Sequence, residues 1–325
     1  MIRKKVIVVE HIDESGIKLL ENSNLVDILY FDGNALEDDV SKALEDASAI
    51  MVRSAPVTRG MMNNAQKLEI ISKHGVGYDN IDVAAATELN IPVTITPEAN
   101  SDSVAELAIS MMLALARNLL RADADLKTGQ FKKREDYTGV ELGEKTLGII
   151  GLGRIGSRVA RRMSLGFKMR VLAYDPFISV EYAAQFNAEL LEELDALLTA
   201  SDVVTIHAPL TELTKNMIAE KQFRKMKQEA FIINTARGGI VNEADLFRAL
   251  TENWIRGAGL DVFVKEPPHP KDNPLLGLQN VIVTPHLGSG AKESLMRMAT
   301  HAAEEIIRVL SGKQPKHPVN PEIYD

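Results

Sequence analysis

The chain contains no cysteine. That removes disulfides, thiolate metal ligands and a thiol nucleophile, and it suits a reducing compartment such as the cytoplasm. Positive charge is also short: 37 lysines and arginines stand against 45 aspartates and glutamates, a net charge of −8. Without a long basic run, neither nucleic acid nor an anionic membrane surface is expected as a partner. No stretch approaches the ~20 consecutive apolar residues of a membrane span. The opening Met1-Ile2-Arg3-Lys4-Lys5 runs straight into a short apolar strand, without a signal peptide's apolar core and cleavage site. The 7 histidines show no metal-binding spacing; His301, in His-Ala-Ala-Glu-Glu, lacks the second histidine of a zinc helix. No metal is expected.

A length of 325 residues, with 45% apolar and 25% charged side chains, suits two globular domains, each with its own core. Short apolar runs at Val6–Val9, Val26–Tyr30, Ala49–Val52, Glu69–Ser72 and Val93–Ile95 alternate with amphipathic stretches such as Gly16–Glu21, Leu36–Glu45 and Val83–Leu89. Such alternation predicts a parallel sheet covered by helices on both faces. Thr96-Pro97-Glu98-Ala99-Asn100 breaks the pattern and marks a domain crossing. A helix is expected next, with Val104, Leu107, Ala108, Met111, Met112, Leu115 and Leu119 along one face, and an exposed loop from Lys127 to Gly139. Methionines on that face suit an interface or a core equally. Further strands are expected at Val171–Tyr174, Asp202–Ile206, Ala230–Ile233, Ala258–Leu260 and Val281–Val283, with helices at Leu191–Leu198 and Ala244–Leu250 between them. A last helix, Lys292 to Leu310, follows Gly288-Ser289-Gly290, and the residues after it are too few for a third domain. The fold class is α/β, with two doubly wound parallel-sheet domains.

The most informative stretch is Thr146 to Gly156. A buried-strand run is followed at once by Gly151-Leu152-Gly153-Arg154-Ile155-Gly156 and then by an amphipathic helix. This is the strand–turn–helix setting of a dinucleotide fingerprint, with a tight turn at the first glycine, an approachable backbone at the second and close helix packing at the third. The next strand ends in Asp175, 24 residues after Gly151 (175 − 151). An acid there accepts hydrogen bonds from ribose hydroxyls and repels a 2′-phosphate, so the expected cofactor is NAD. The opening strand of the chain has no such glycine motif; Glu10-His11-Ile12-Asp13 stands in its place.

Three further residues fall at or just beyond strand ends, where ligands gather in such sheets. Arg237, in Asn234-Thr235-Ala236-Arg237-Gly238-Gly239, is suited to grip a carboxylate through two parallel hydrogen bonds. Glu266 precedes Pro267-Pro268. The third is His286, in Thr284-Pro285-His286-Leu287-Gly288; histidine is the side-chain type suited to exchange a proton with a substrate oxygen. Each read singly is an ordinary loop residue. In this order after the fingerprint, they closely resemble the D-isomer-specific 2-hydroxyacid dehydrogenases. The resemblance extends to Val52-Arg53-Ser54, to Gly75-Val76-Gly77-Tyr78-Asp79-Asn80-Ile81-Asp82 and to Asn100–Glu106.

The resemblance implies a flavodoxin-like substrate domain, residues 1–99 with 288–325, into which an NAD-binding Rossmann domain, residues 100–287, is inserted. It implies a homodimer built on the Asn100–Tyr137 arm. His286 becomes the acid–base, Glu266 the partner that orients it and raises its pKa, and Arg237 the carboxylate-binding residue that polarises the substrate carbonyl. Gly151, Gly153, Arg154, Ile155, Gly156, Asp175, His207, Pro209, Thr214, Thr235, Ala236, Asp261 and Gly288 are implied around the cofactor, Asp261 near its carboxamide. Arg53, Ser54, Lys73, Val76, Gly77 and Asn100 are implied around a small 2-hydroxy or 2-oxo acid. Within the family the likeness is greatest to the branch acting on D-3-phosphoglycerate, with Arg53 and Lys73 as cations for the phosphate, although Lys73-His74 replaces the arginine and small residue of some members. Hydroxypyruvate and glyoxylate reductases carry nearly the same motifs, and a reading of another class is an NADH-sensing protein resembling the C-terminal-binding corepressors.

Overall fold

In a computed structural model, which describes residues 3–325, the chain divides into two compact units. One comprises residues up to Asn100 together with Ser289–Asp325, the other Ser101–Gly288. Among the described residues no single helix is long and apolar enough to cross a membrane.

The first unit is built on β1 (Lys4–Val9), β2 (Val26–Phe31), β3 (Ala49–Val52), β4 (Ile70–Lys73) and β5 (Val93–Thr94), all paired in parallel in the order β2-β1-β3-β4-β5. Helices α1 (Glu14–Asn22), α2 (Glu37–Leu44), α3 (Arg59–Asn64) and α4 (Val83–Glu88) connect them. Side chains alternate across a strand, so Val6 and Val8 enter one apolar layer and Ile7 and Val9 the other. The first layer is completed by Ala299, Ala302, Ala303 and Ile306 of the C-terminal helix, Lys292–Leu310; the second by Val40, Leu44, Met61 and Met62. With both faces covered, β3 and β4 are buried at every position, which is why they read as continuous apolar runs. Edge strand β2 leaves Leu29 and Tyr30 exposed. Local caps set the helix starts: Asp13 accepts from the Ser15 N–H at 2.9 Å, and Asp82 from the Ala85 N–H at 2.9 Å.

The second unit opens with α5 (Ser101–Ala116) and α6 (Leu119–Lys127), followed by β6 (Thr146–Ile150), α7 (Arg154–Phe167), β7 (Arg170–Tyr174), α8 (Val180–Ala184), β8 (Ala188–Leu190), α9 (Leu194–Ala200), β9 (Val203–Ile206), α10 (Glu220–Phe223), β10 (Phe231–Asn234), α11 (Glu243–Thr251), β11 (Gly257–Leu260) and β12 (Val281–Val283). Its seven strands are parallel and ordered β12-β11-β10-β9-β6-β7-β8, so the order reverses between β6 and β9. Met111 and Met112 lie in this unit's own core, at 2% and 0% exposure. The helix expected to carry Leu119 on its buried face instead ends at Ala116. Asn118 takes a left-handed conformation, φ 51, and its side-chain amide donates to the carbonyls of Tyr137 and Thr138. Leu119 is consequently 58% exposed.

His74, immediately after β4, is 3% exposed, with Nε2 3.3 Å from the Leu295 carbonyl oxygen. Burial pushes its pKa down from 6.5 to about 4, so the folded ring is neutral near neutrality. The unfolded chain takes up a proton below its ordinary pKa that the folded ring refuses until far lower, so stability falls with pH across that window. His74→Leu removes this linkage. Between neutrality and pH 5, urea unfolding should show the wild type losing about 2 kcal/mol more than the variant; equal losses would contradict the assignment.

Candidate active site

The glycine loop after β6 has a distinct steric reason at each position. Gly151 has φ +88, and a Cβ there would lie 2.8–2.9 Å from the backbone of His207 and Ala208 at the end of β9. At Gly156 a Cβ would meet the Gly151 carbonyl oxygen at 2.2 Å, so α7 rests directly on the loop. Gly153 caps α7, and a Cβ there would meet nothing within 4 Å. Open space therefore lies before the positive end of a 14-residue helix, with exposed Arg154 and half-buried Ile155 in its first turn. Two buried polar atoms at the ends of adjacent strands, His207 Nδ1 and Thr235 Oγ1, have no hydrogen-bond partner within the described protein. Burial pushes His207 down to about 3, so its ring is neutral. These features fit a dinucleotide: room for a diphosphate at a helix N-terminus, and unpaired polar atoms along the strand ends.

Other expected cofactor residues lie in the turns that follow β7, β9 and β10. Asp175, after β7, accepts from the Leu152 N–H at 3.0 Å and from the Phe177 N–H at 3.0 Å, tying the strand end to the glycine loop. Thr214 closes the turn from Pro209, its hydroxyl donating to the Pro209 carbonyl at 2.6 Å. Ala236 donates its N–H to Asn234 Oδ1 at 3.1 Å.

The three candidate catalytic residues lie beyond the ends of β10, β11 and β12. Asn234 also donates from Nδ2 to the Arg237 carbonyl at 2.9 Å, which turns the chain sharply after β10. Gly238 lets this turn abut the next loop: a Cβ there would lie 2.0 Å from the Phe263 carbonyl oxygen. Arg237 is half-buried and donates from Nη1 to the Ala236 carbonyl at 2.7 Å. Beyond β11, Glu266 accepts the Phe263 N–H on Oε1 at 3.0 Å and holds His286 Nδ1 on Oε2 at 2.8 Å. That bond fixes the imidazole ring and leaves Nε2 for a substrate. His286 itself is held in the left-handed region, φ 54.

In the first unit, Arg53 and Ser54 follow β3, half-buried and exposed respectively, and Val76 and Gly77 lie half-buried on the glycine-rich loop after β4. Lys73 is placed differently from a phosphate ligand. It is 7% exposed, and its ammonium donates to the Arg53 carbonyl and to Asn80 Oδ1. The Asn100 side-chain oxygen is buried without a hydrogen-bond partner within the described protein. The sequence reading passed over Glu10, whose carboxylate accepts the N–H groups of Arg53, Ser54 and Ala55. The only signal available was an acid directly after a buried strand.

Residues 109–288 match the model of the D-isomer specific 2-hydroxyacid dehydrogenase, NAD binding domain. The chain is 43% identical, over 97% of its length, to D-3-phosphoglycerate dehydrogenase of Methanocaldococcus jannaschii, and 38% identical, over 99%, to glyoxylate reductase of Korarchaeum cryptofilum. It belongs to the D-isomer-specific 2-hydroxyacid dehydrogenase family. It spans 59% of the first relative and 97% of the second. A solved structure of D-lactate dehydrogenase from Aquifex aeolicus, complexed with NAD and lactic acid, superposes with a TM-score of 0.84 at 30% identity, covering 97% of this chain and 99% of that one.

In this member of the family, Asp261 is a buried carboxylate that organises the turn after β12. It is 1% exposed; Oδ1 accepts from the Thr284 hydroxyl at 2.5 Å and the Leu287 N–H at 2.6 Å, and Oδ2 from the Gly288 N–H at 2.8 Å. The His286 N–H donates to the Asp261 carbonyl at 3.0 Å. Burial pushes this carboxyl's pKa up, opposed by the hydrogen bonds it accepts. Asp261→Ala strands a hydroxyl and two N–H groups and should cost about 3 kcal/mol or more in urea unfolding. Asp261→Asn, which keeps one oxygen acceptor, should cost less. A loss below about 1 kcal/mol for the alanine variant would show that the turn is held by other contacts.

Proposed function

We propose that the chain is an NAD-dependent oxidoreductase that moves hydride between nicotinamide and C2 of a 2-hydroxy or 2-oxo acid, with D-3-phosphoglycerate and 3-phosphohydroxypyruvate as the substrate pair, the first step of serine biosynthesis. The observation that carries the reading is the His286–Glu266 hydrogen bond, 2.8 Å, which leaves Nε2 to exchange a proton with the substrate oxygen. Bound NAD supplies the hydride acceptor, or in the reverse direction NADH the donor. Arg237 grips the substrate carboxylate and draws electron density from the adjacent carbonyl, while protonated His286 stabilises the alkoxide as it forms. On the first unit, Val76 and Gly77 offer backbone N–H groups to an anionic substrate, and Arg53 and Ser54 receive the phosphate. The 43% identity to a phosphoglycerate dehydrogenase supports that substrate. The match to a glyoxylate reductase over nearly the full length of both chains favours, as a second reading, a small unphosphorylated oxoacid. We also propose a homodimer, supported by the exposed apolar residues of α6 and the chain after it: Leu120 at 52%, Leu126 at 60% and Phe131 at 92%. A solution mass of a single 35.7 kDa chain would exclude it.

NADH oxidation with 3-phosphohydroxypyruvate, hydroxypyruvate, glyoxylate and pyruvate separates the readings. The proposal expects preference for the phosphorylated acid and a fall in kcat of about 10²–10⁴-fold in His286→Ala. Gly153→Val, which fills the open space before α7, should fold normally yet weaken NADH at least about tenfold. Preference for an unphosphorylated acid would favour the second reading. Tight NADH binding without turnover of any of them would favour a cofactor-sensing protein.

A further inference from the structure

The first unit's sheet reverses its winding between β1 and β3. Loops leaving the C-terminal ends of these two strands diverge, and the crevice between such loops is where open α/β sheets hold ligands. Glu10 is the first residue after β1, and Arg53, Ser54 and Ala55 are the first three after β3. Glu10 Oε2 accepts a hydrogen bond from each of those three backbone N–H groups, at 3.0 Å from Arg53, 2.9 Å from Ala55 and a shorter distance from Ser54. Successive N–H groups converging on one point form an anion-binding nest, the element that cradles phosphate in other folds. Here the anion is the protein's own carboxylate.

The same loop is held through its carbonyls. The Arg53 carbonyl accepts from the Lys73 ammonium, the Ala55 carbonyl from Asn80 Nδ2 at 2.6 Å, and Lys73 also donates to Asn80 Oδ1 at 2.6 Å. Residues 53–55 are therefore fixed by a carboxylate on their donors and by an ammonium and an amide on their acceptors. Glu10 has φ +71, a left-handed conformation that costs a non-glycine residue conformational energy and persists only where the surroundings enforce it. A glycine would relax the backbone there, yet it would leave the nest empty.

We propose that Glu10 is a positioning residue for substrate recognition: with Lys73 and Asn80 it fixes the Arg53–Ala55 backbone, so that the Arg53 guanidinium and Ser54 hydroxyl are held ready for the anionic end of a phosphorylated 2-oxo acid. This rests on the assignment of Arg53 and Ser54 to the substrate phosphate made above. Lys73 contributes by holding the loop rather than by touching phosphate. A carboxylate beside a phosphate site would otherwise repel the substrate; the nest's three N–H dipoles and the Lys73 ammonium on the same loop offset its charge.

The test uses Glu10→Gly, which removes the carboxylate while relaxing the strained backbone, and Glu10→Gln, which keeps a weaker acceptor in place. KM and kcat are measured with 3-phosphohydroxypyruvate and glyoxylate, NADH affinity by titration, and amide hydrogen exchange at Ser54 and Ala55. The proposal expects Glu10→Gly to raise KM for the phosphorylated substrate about tenfold, the equivalent of one lost charge-assisted hydrogen bond. It expects unchanged kcat on both substrates, unchanged NADH affinity, faster exchange at both amides, and intermediate values for Glu10→Gln. An unchanged or lower KM overturns it, as does a parallel loss of kcat on both substrates, which marks a merely structural residue. If the wild type shows no preference for the phosphorylated acid, the substrate reading fails independently. The exchange data then decide on Glu10: faster exchange upholds its hold on the loop, and unchanged exchange refutes it.

Discussion

A buried carboxylate at the end of β11 sets where His286 sits. Asp261 gathers one hydroxyl and two N–H groups of the turn that carries His286, and its own N–H donates to the Asn234 carbonyl on the neighbouring strand at 3.0 Å. Asn234 in turn uses its side-chain amide to shape the turn that carries Arg237. The parallel register of β10 and β11 pairs Asn234 with Leu260, which brings Asp261, one residue on, beside Asn234. Buried polar groups so fully hydrogen-bonded make a rigid local network, which presents the turn that carries His286 in one conformation.

The same device recurs at three strand ends. Asp261 after β11 and Glu10 after β1 spend their carboxylates on backbone N–H groups of a neighbouring loop, and Asp175 after β7 accepts one N–H from the glycine loop and one from its own. A parallel sheet delivers all its ligand-facing loops at one end but does nothing to order them. Short acidic side chains at strand termini supply that order from inside the fold. Part of the chain's negative excess thus has a structural use, separate from any long-range steering of substrate.

Much of this architecture was legible in residue patterns, for identifiable reasons. Strands buried on both faces read as short apolar runs, and β3, β6 and β9 carry that mark. The glycine fingerprint was legible because each glycine answers a separate steric demand. Glu266 and His286 lie 20 residues apart on different loops, and nothing in local spacing pairs them; the family resemblance did. Other features left no pattern. Strand β8 has three residues at a sheet edge, too few for a periodic signal. The helical period runs on from Leu115 to Leu119, while the chain breaks at Asn118 because that amide closes a turn with residues 137–138, a contact that local periodicity does not register. Lys73 reads as an exposed cation after an apolar run, yet β4 carries it inside, where the carbonyl of Arg53 and the amide of Asn80 meet its charge. Glu10 was noticed only as the absence of a glycine.

The most direct test of the account follows the hydride itself. NADH carrying deuterium at the transferable position of its nicotinamide is incubated with the preferred 2-oxo acid, and the isolated product is examined for the label and for its configuration. The account predicts one deuterium at C2, in the D enantiomer of the 2-hydroxy acid. An L product, or a product without deuterium, would contradict direct hydride transfer at this site.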